Sequence, residues 1–547
     1  MRRCFRPGLF VAAFVSIPVG CGQGEQAGEK AAALAEPAAA PTGHMVSQDA
    51  FIAPDPAPQS SFKAAAKVEP VVNAESYAKI VDNGFLRADQ QPLSTFSIDV
   101  DTASYANVRR FLTQGMRPPK DAVRIEELIN YFPYNYPPPS GDNAFAANVE
   151  FTGCPWNADH RLARIGLKGK EIKSEKRPLA NLVFLLDVSG SMNSPKKLPL
   201  LKSALSMLVE QLGENDRVAV VVYAGAEGLA LPSTSCENKQ AILSALEGLA
   251  AGGSTNGGAG IVLAYETAVR NFIPGGTNRV ILCTDGDFNV GVTSREALTS
   301  LIREKARSKV FLSVLGFGDG NLKDATMEQL ADLGNGNYGY IDSLAEAKKV
   351  LVEQMSGTLV TIAKDVKIQV EFNPSKVGSY RLIGYENRVM AAEDFNNDAK
   401  DAGEIGAGHT VTALYEIVPP GAPVDPSVDP LKYAKPDVSA VSLGSPETLT
   451  VKVRFKAPEG DESKKIEQGF VDEGRGLPEA SADFRFAAAV ASFGMLLRDS
   501  PHKGAATFGK VAELAETGLG DDPSGYRREF LGLVRTASDH PDRSGPH

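Results

Sequence analysis

Asp187-Val188-Ser189-Gly190-Ser191 sets a carboxylate and two hydroxyls at alternate positions directly after the apolar run 182–186. Two further oxygen-bearing stretches follow. One is the glycine-rich turn Gly252-Gly253-Ser254-Thr255-Asn256-Gly257-Gly258; the other is Asp285-Gly286-Asp287, which closes the run Val280-Ile281-Leu282-Cys283-Thr284. Carboxylate and hydroxyl oxygens without His or Cys suit a hard divalent cation, Mg²⁺ or else Mn²⁺ or Ca²⁺, and argue against zinc and copper. Mg²⁺ takes six ligands at about 2.0–2.1 Å and readily keeps water among them. A competing reading has Ser189 and Ser191 merely capping a helix, which would leave Thr255 and Asp285 without a role. The glycines read as room for a tight backbone. No P-loop Lys-Ser/Thr follows them, which argues against nucleotide binding.

These residues need a scaffold that brings three loops together. Between 181 and 357 apolar runs alternate with helical patterns, the signature of a doubly wound, mainly parallel α/β sheet. Strands are expected at 182–186, 217–223, 279–283, 310–315 and 338–341, and helices near 197–212, 237–249, 258–271, 294–307, 324–333 and 343–355. Ligands of such sheets bind beyond the carboxyl ends of the strands. Asp187, Ser189, Ser191, Thr255 and Asp285 all fall there.

The order Asp-x-Ser-x-Ser, then Thr, then Asp resembles the von Willebrand factor type A domain and its metal-ion-dependent adhesion site. The resemblance covers about 181–357 and implies a Rossmann-like fold. It implies that Ser189, Ser191 and Thr255 bind the metal directly, with Asp187 and Asp285 acting directly or through water. It also implies an open coordination position that takes an Asp or Glu carboxylate from a protein partner. Asp287 and Asn289 are candidates for orienting water, and Asn256 for bracing its loop. Phe96-Ser97-Ile98-Asp99-Val100-Asp101-Thr102-Ala103-Ser104-Tyr105 resembles a stretch of exported bacterial proteins that carry this domain. Its Asp99-x-Asp101 pair is similar to a phosphatase element, but Ala103 stands where Thr is required, and the pair reads as structural.

The chain has 547 residues, 43% hydrophobic and 23% charged. At about 150 residues per domain it has room for two to four domains. A net charge of −10 gives no pull toward nucleic acid. Arg2, Arg3 and Arg6 precede a short apolar stretch at 9–19, which has the make-up of an export signal. Ile17-Pro18-Val19-Gly20-Cys21 resembles a bacterial lipobox, which implies lipidation of Cys21 and an anchored place in the cell envelope. Pro18 stands where that motif usually has Leu, leaving ordinary cleavage or no processing as the alternatives. Residues 22–75, rich in Ala, Pro and Gly, read as a tether.

A globular segment is expected at 76–170, with a short helix at 77–81, a strand at 93–100, and helices at 103–112 and 124–131. Strands at 147–152 and 162–167 are expected to lead into or flank the central sheet. An α+β region at 360–540 follows, with strands at 366–372, 410–418 and 449–455 and helices at 483–498, 505–517 and 524–536. Cys283 lies in an apolar run and reads as a buried thiol, whereas Cys154 and Cys236 are a possible pair.

Three functions compete: an interaction module gripping an acidic partner through metal, an envelope scaffold with a buttressing metal, and a metal-dependent hydrolase. The six histidines are His44, His160, His409, His502, His540 and His547, none within 181–357. No HExxH or Gly-x-Ser-x-Gly element appears. Asp287 could act as a base, but a lone acidic turn residue is thin support, so the enzyme reading is disfavoured and the interaction module is the expectation.

Overall fold

Ahead of the central alternation the chain already seals Phe96, Tyr105, Val108 and Leu128 from solvent. The computed structural model describes residues 75–539, except 99, 142, 173–176, 225–226, 254–256, 287–294, 320–321, 355–359, 399, 401, 423–438, 459 and 461. Expectations on residues 1–74, Asp99, Thr255, Asn256, Asp287 and Asn289 lie outside the described residues. The first part forms β1 (Leu86–Arg87), β2 (Leu93–Ser97), α1 (Ala103–Thr113) and α2 (Ile125–Asn130). A long hairpin of β3 (Phe145–Cys154) and β4 (Asn157–Gly169) follows. No helix forms at 77–81, where the Ile80 N–H donates outside the segment, to Asp121 Oδ1 at 3.0 Å.

The central part runs β5 (Ala180–Asp187), α3 (Leu198–Gln211), β6 (Arg217–Tyr223), β7 (Glu227–Ser235), α4 (Lys239–Glu247) and α5 (Gly257–Arg270). It continues through β8 (Thr277–Thr284), α6 (Arg295–Ala306), β9 (Phe311–Phe317), α7 (Asp324–Leu333), β10 (Tyr338–Ile341) and α8 (Leu344–Lys348). The sheet order is β10-β9-β8-β5-β6-β7, parallel except for the antiparallel edge strand β7. Leu182, Phe184 and Leu186 face one core while Val183 and Leu185 face the other. This period of two, with both faces covered by helices, is why the strands read as continuous apolar runs. The pattern at 343–355 divides, with α8 passing into a π-helical turn at Lys349–Glu353.

The last part contributes β11 (Thr361–Phe372), β12 (Ser379–Ile383), β13 (Val389–Met390), β14 (Ile405–Gly406) and β15 (Thr410–Val418). After these come α9 (Ala440–Gly444), β16 (Leu449–Lys456), β17 (Ser463–Phe470), α10 (Ala482–Arg498), α11 (Phe508–Thr517) and α12 (Tyr526–Asp539). The strands of the two flanking segments interleave. One sheet has the order β1-β12-β15-β4-β3 and the other β13-β2-β11-β16-β17, with β14 on β11, and all pairings are antiparallel. Phe96, Ile165, Tyr380 and Val451 from both sheets share one core, which makes a sandwich. Segments 76–170 and 360–540 are therefore halves of one unit, and the hairpin expected beside the central sheet belongs to the sandwich. Helices α10, α11 and α12 close on α2 and Trp156 in a further core.

Ion networks join the central domain to its surroundings. From α1, Arg109 reaches Asp342 (2.5 Å), Glu346 (2.7 Å) and Glu529 (3.0 Å). Arg124 reaches Glu127 (2.9 Å) and, on α7, Asp324 (2.7 Å) and Glu328 (2.9 Å), while Arg388 holds Glu328 (2.8 Å) and Asp332 (3.0 Å). Asp101 is structural, its Oδ1 accepting the Tyr338 N–H at 2.9 Å. Among the described residues no helix is long and apolar enough to cross a membrane.

Candidate metal centre

β5 and β8 are neighbours, and both end at the same edge of the central sheet. Asp187 is the last residue of β5 and Asp285 the first beyond β8; both are buried. Ser189 is buried and Ser191 exposed, within the turn that precedes α3. Their hydroxyls lie 2.9 Å apart. Neither caps a helix: no side-chain capping bond forms at Ser189, and α3 begins only at Leu198. The hydroxyls are thus left facing one another at the strand ends.

Thr255 lies in the segment 254–256, outside the described residues, but the backbone before it is placed. Gly190 N–H donates to Gly253 O at 3.1 Å, and Gly252 N–H donates to Val188 O at 2.8 Å. Two hydrogen bonds clip the glycine-rich turn to the Asp-x-Ser-x-Ser loop. Gly253 has φ +82°, a left-handed conformation that glycine adopts without a Cβ penalty. Four of the five expected residues are therefore described on one edge, and the loop carrying the fifth is tied to it.

Asp187 Oδ1 accepts the Ser189 N–H at 2.9 Å, and Oδ2 lies 3.5 Å from the Thr284 hydroxyl. Burial pushes the Asp187 carboxyl up to about 6, the Asp285 charge adding to the push while hydrogen bonds from Ser189 and Tyr223 oppose it. Lys197 Nζ donates to Asp285 Oδ2 at 2.8 Å. Lys197 was not singled out in the sequence, where it falls at the start of the helix expected at 197–212. Its stem is pressed against Gly318, where a Cβ would come within 2.4 Å of Lys197 Cε. Tyr223 and Thr284 were also missed, each hidden at the end of an apolar strand.

The donors are hydroxyl and carboxylate oxygens only. Among the described residues no group of three or more His, Cys, Asp or Glu could hold a metal, so any cation here would depend on the hydroxyls. That set fits a hard cation. Cys154, Cys236 and Cys283 are free and buried; Cys154 and Cys236 sit in different cores, which rules out the possible pair.

Comparison with known proteins gives matches along most of the chain. Residues 71–164 match the profile described as von Willebrand factor, 181–354 that of the von Willebrand factor type A domain, and 357–539 that of "Uncharacterized protein YfbK, C-terminal". Over 497 residues the chain is 45% identical to the protein YfbK of Escherichia coli (strain K12), covering 89% of this chain and 86% of that one. It is 31% identical over 164 residues to inter-alpha-trypsin inhibitor heavy chain H4 of Homo sapiens, covering 28% of this chain and 17% of that one. Among solved structures, von Willebrand factor type A from Catenulispora acidiphila aligns with a TM-score of 0.40 at 14% identity, over 74% of this chain and 97% of that one. BatB from Bacteroides thetaiotaomicron aligns with a TM-score of 0.28 at 24% identity, over 32% and 97%.

Proposed function

Because this chain belongs to the YfbK family and carries a von Willebrand factor type A domain, we propose that it is an exported, lipid-anchored interaction protein that grips an acidic group of a partner protein through a divalent cation. One observation carries the reading: two buried carboxylates, Asp187 and Asp285, stand on adjacent strand ends beside two hydroxyls that cap nothing. Ser189, Ser191 and Thr255, with Asp187 and Asp285, would hold Mg²⁺, Mn²⁺ or Ca²⁺. A bound cation of this kind supplies electrostatic attraction for a carboxylate from outside. The chain's own part is to keep water from the two aspartates and to hold the hydroxyls in place through the clipped loops. Ser191, exposed at the rim, marks the side from which a partner would approach. Cys21 would carry the lipid, and residues 22–75 would hold the folded part off the membrane.

The test is capture from envelope extract by the purified chain in Mg²⁺ and in chelator, repeated with Asp187→Ala. Partners held only in Mg²⁺, and lost in the variant, support the reading; identical partners in all conditions overturn it. Calorimetry with the three cations gives the direct check, and heats indistinguishable from dilution would end the metal proposal. For the anchor, Cys21→Ala should move the protein from the membrane fraction to the soluble one.

A further inference from the structure

β8 carries a charged residue at the end away from Asp285. Arg279 lies six positions before Asp285, about 20 Å along an extended strand. It is only 2% exposed. Its Nη1 donates to Ser313 Oγ at 2.5 Å, and its Cζ sits 5.6 Å from the Phe311 ring centre. Its Nε has no hydrogen-bond partner among the described residues, and no carboxylate there forms an ion pair with it. Glu404 acts on it only through space, too weakly to offset burial, which pulls the guanidinium down to about 10. A buried guanidinium without a counterion is costly unless something repays it.

Arg279 lines a cavity of about 90 Å³ between the central sheet and the sandwich, together with Ser313, Ile281, Leu315, Leu351 and His409. At 10–15 Å³ per water-sized position, that is room for roughly six to nine non-hydrogen atoms. A larger space of about 620 Å³ adjoins it, sharing Asn335, Gly336 and Glu404, and is lined by Arg303, Arg307 and Arg388. Arg303 and Arg307 are exposed, one turn apart at the end of α6, and their side chains have no partner among the described residues. The carboxylates on these walls are otherwise engaged: Asp332 pairs with Arg388 at 3.0 Å, Asp101 holds Tyr338 N–H, and Glu404 accepts the Thr361 hydroxyl at 3.1 Å. Cationic side chains thus run from an open mouth to a buried, incompletely paired guanidinium in a chamber with apolar and polar walls.

We propose that this cleft is an anion site, separate from the strand-end loops, for a small carboxylate with a short apolar body. The carboxylate would lie on Arg279 and Ser313, and the body against Ile281, Leu315 and Leu351. Arg303 and Arg307 would draw it in, an effect that salt screens. One guanidinium matches a single negative charge, and the apolar walls favour a carboxylate with a tail over inorganic phosphate.

The test is calorimetry on the full chain, in chelator and at fixed ionic strength, with acetate, butyrate, hexanoate and inorganic phosphate as probes. Saturable butyrate binding, at least tenfold weaker in Arg279→Met, is the expected result. Arg303→Gln with Arg307→Gln should weaken it two- to fivefold at low salt, with the difference shrinking at high salt. If Arg279→Met does not fold, this exposed pair decides the matter. No saturable binding of any carboxylate, unchanged affinity in a folded Arg279→Met, or an unchanged low-salt affinity in the exposed pair would each overturn the proposal. Phosphate displacing butyrate with higher affinity would overturn the choice of carboxylate.

Discussion

The seam between the central domain and its surroundings and the strand-end edge of the same domain treat buried carboxylates in opposite ways. At the seam, Asp324, Glu328, Asp342 and Glu346 each meet a guanidinium within 3.0 Å. At the edge, Asp187 and Asp285 lie at the ends of adjacent strands and repel one another, and Lys197 pairs with Asp285. Forked, matched pairs give geometry, so the seam's charges are structural. A buried carboxyl that desolvation pushes toward neutrality, as at Asp187, points instead to a candidate functional site. The contrast separates two uses of the same residue types that composition cannot distinguish.

The largest effect should come from breaking the seam. Arg124→Met leaves Glu127, Asp324 and Glu328 without their shared guanidinium, and should lower stability by about 3–5 kcal/mol. A fall in the urea midpoint measures this; a midpoint within experimental scatter of the parent would erase the distinction from the seam's side. At the edge, Asp187→Asn should not destabilise the metal-free chain and should abolish its response to cation. The parent should gain about 2.7 kcal/mol at a hundredfold excess of Mg²⁺ over its dissociation constant. A variant that gained equally in thermal shift would show that Asp187 is not part of the centre.

A third prediction concerns His409, which lines the cavity between the central sheet and the sandwich. Burial, with Lys168 nearby, pulls its imidazole down to about 4. The unfolded chain takes up this proton near pH 6.5, so between about 6.5 and 4 it binds one more proton than the folded chain. Stability therefore rises with pH through that window and is lost as pH falls, by at most about 1.4 kcal/mol per unit. Urea midpoints from pH 4.5 to 7 should show a shallower slope in His409→Gln. The smallest effect should come from Lys197→Met. Removing the ammonium from Asp285 should tighten cation binding a few-fold in calorimetry, through relief of like-charge repulsion. Weaker binding would instead make Lys197 a positioning residue.

The central domain was legible because its signals are local. Both faces of β5 and β8 are buried, so their apolar runs are unbroken, and polar residues at their ends stand out against them. Edges were less legible. β7 contains Pro232 and is half exposed, which an edge strand tolerates but which hides the pattern. β17, Ser-Lys-Lys-Ile-Glu-Gln-Gly-Phe, exposes most of its side chains and becomes a strand through its pairing with β16. β2 stops at Ser97 rather than 100, where its last partner on β11 is Lys367.

Sequence alone determined the alternation of the central domain and the sheet edge at which Asp187, Ser189, Ser191 and Asp285 lie, since these follow from periodicity within short windows. Tertiary structure alone decided that segments about 250 residues apart share two sheets, that Lys197 reaches Asp285, and that Arg279 is buried with no ion pair among the described residues. Strand pairing and charge compensation depend on which distant groups arrive at a given point, and no local pattern records that.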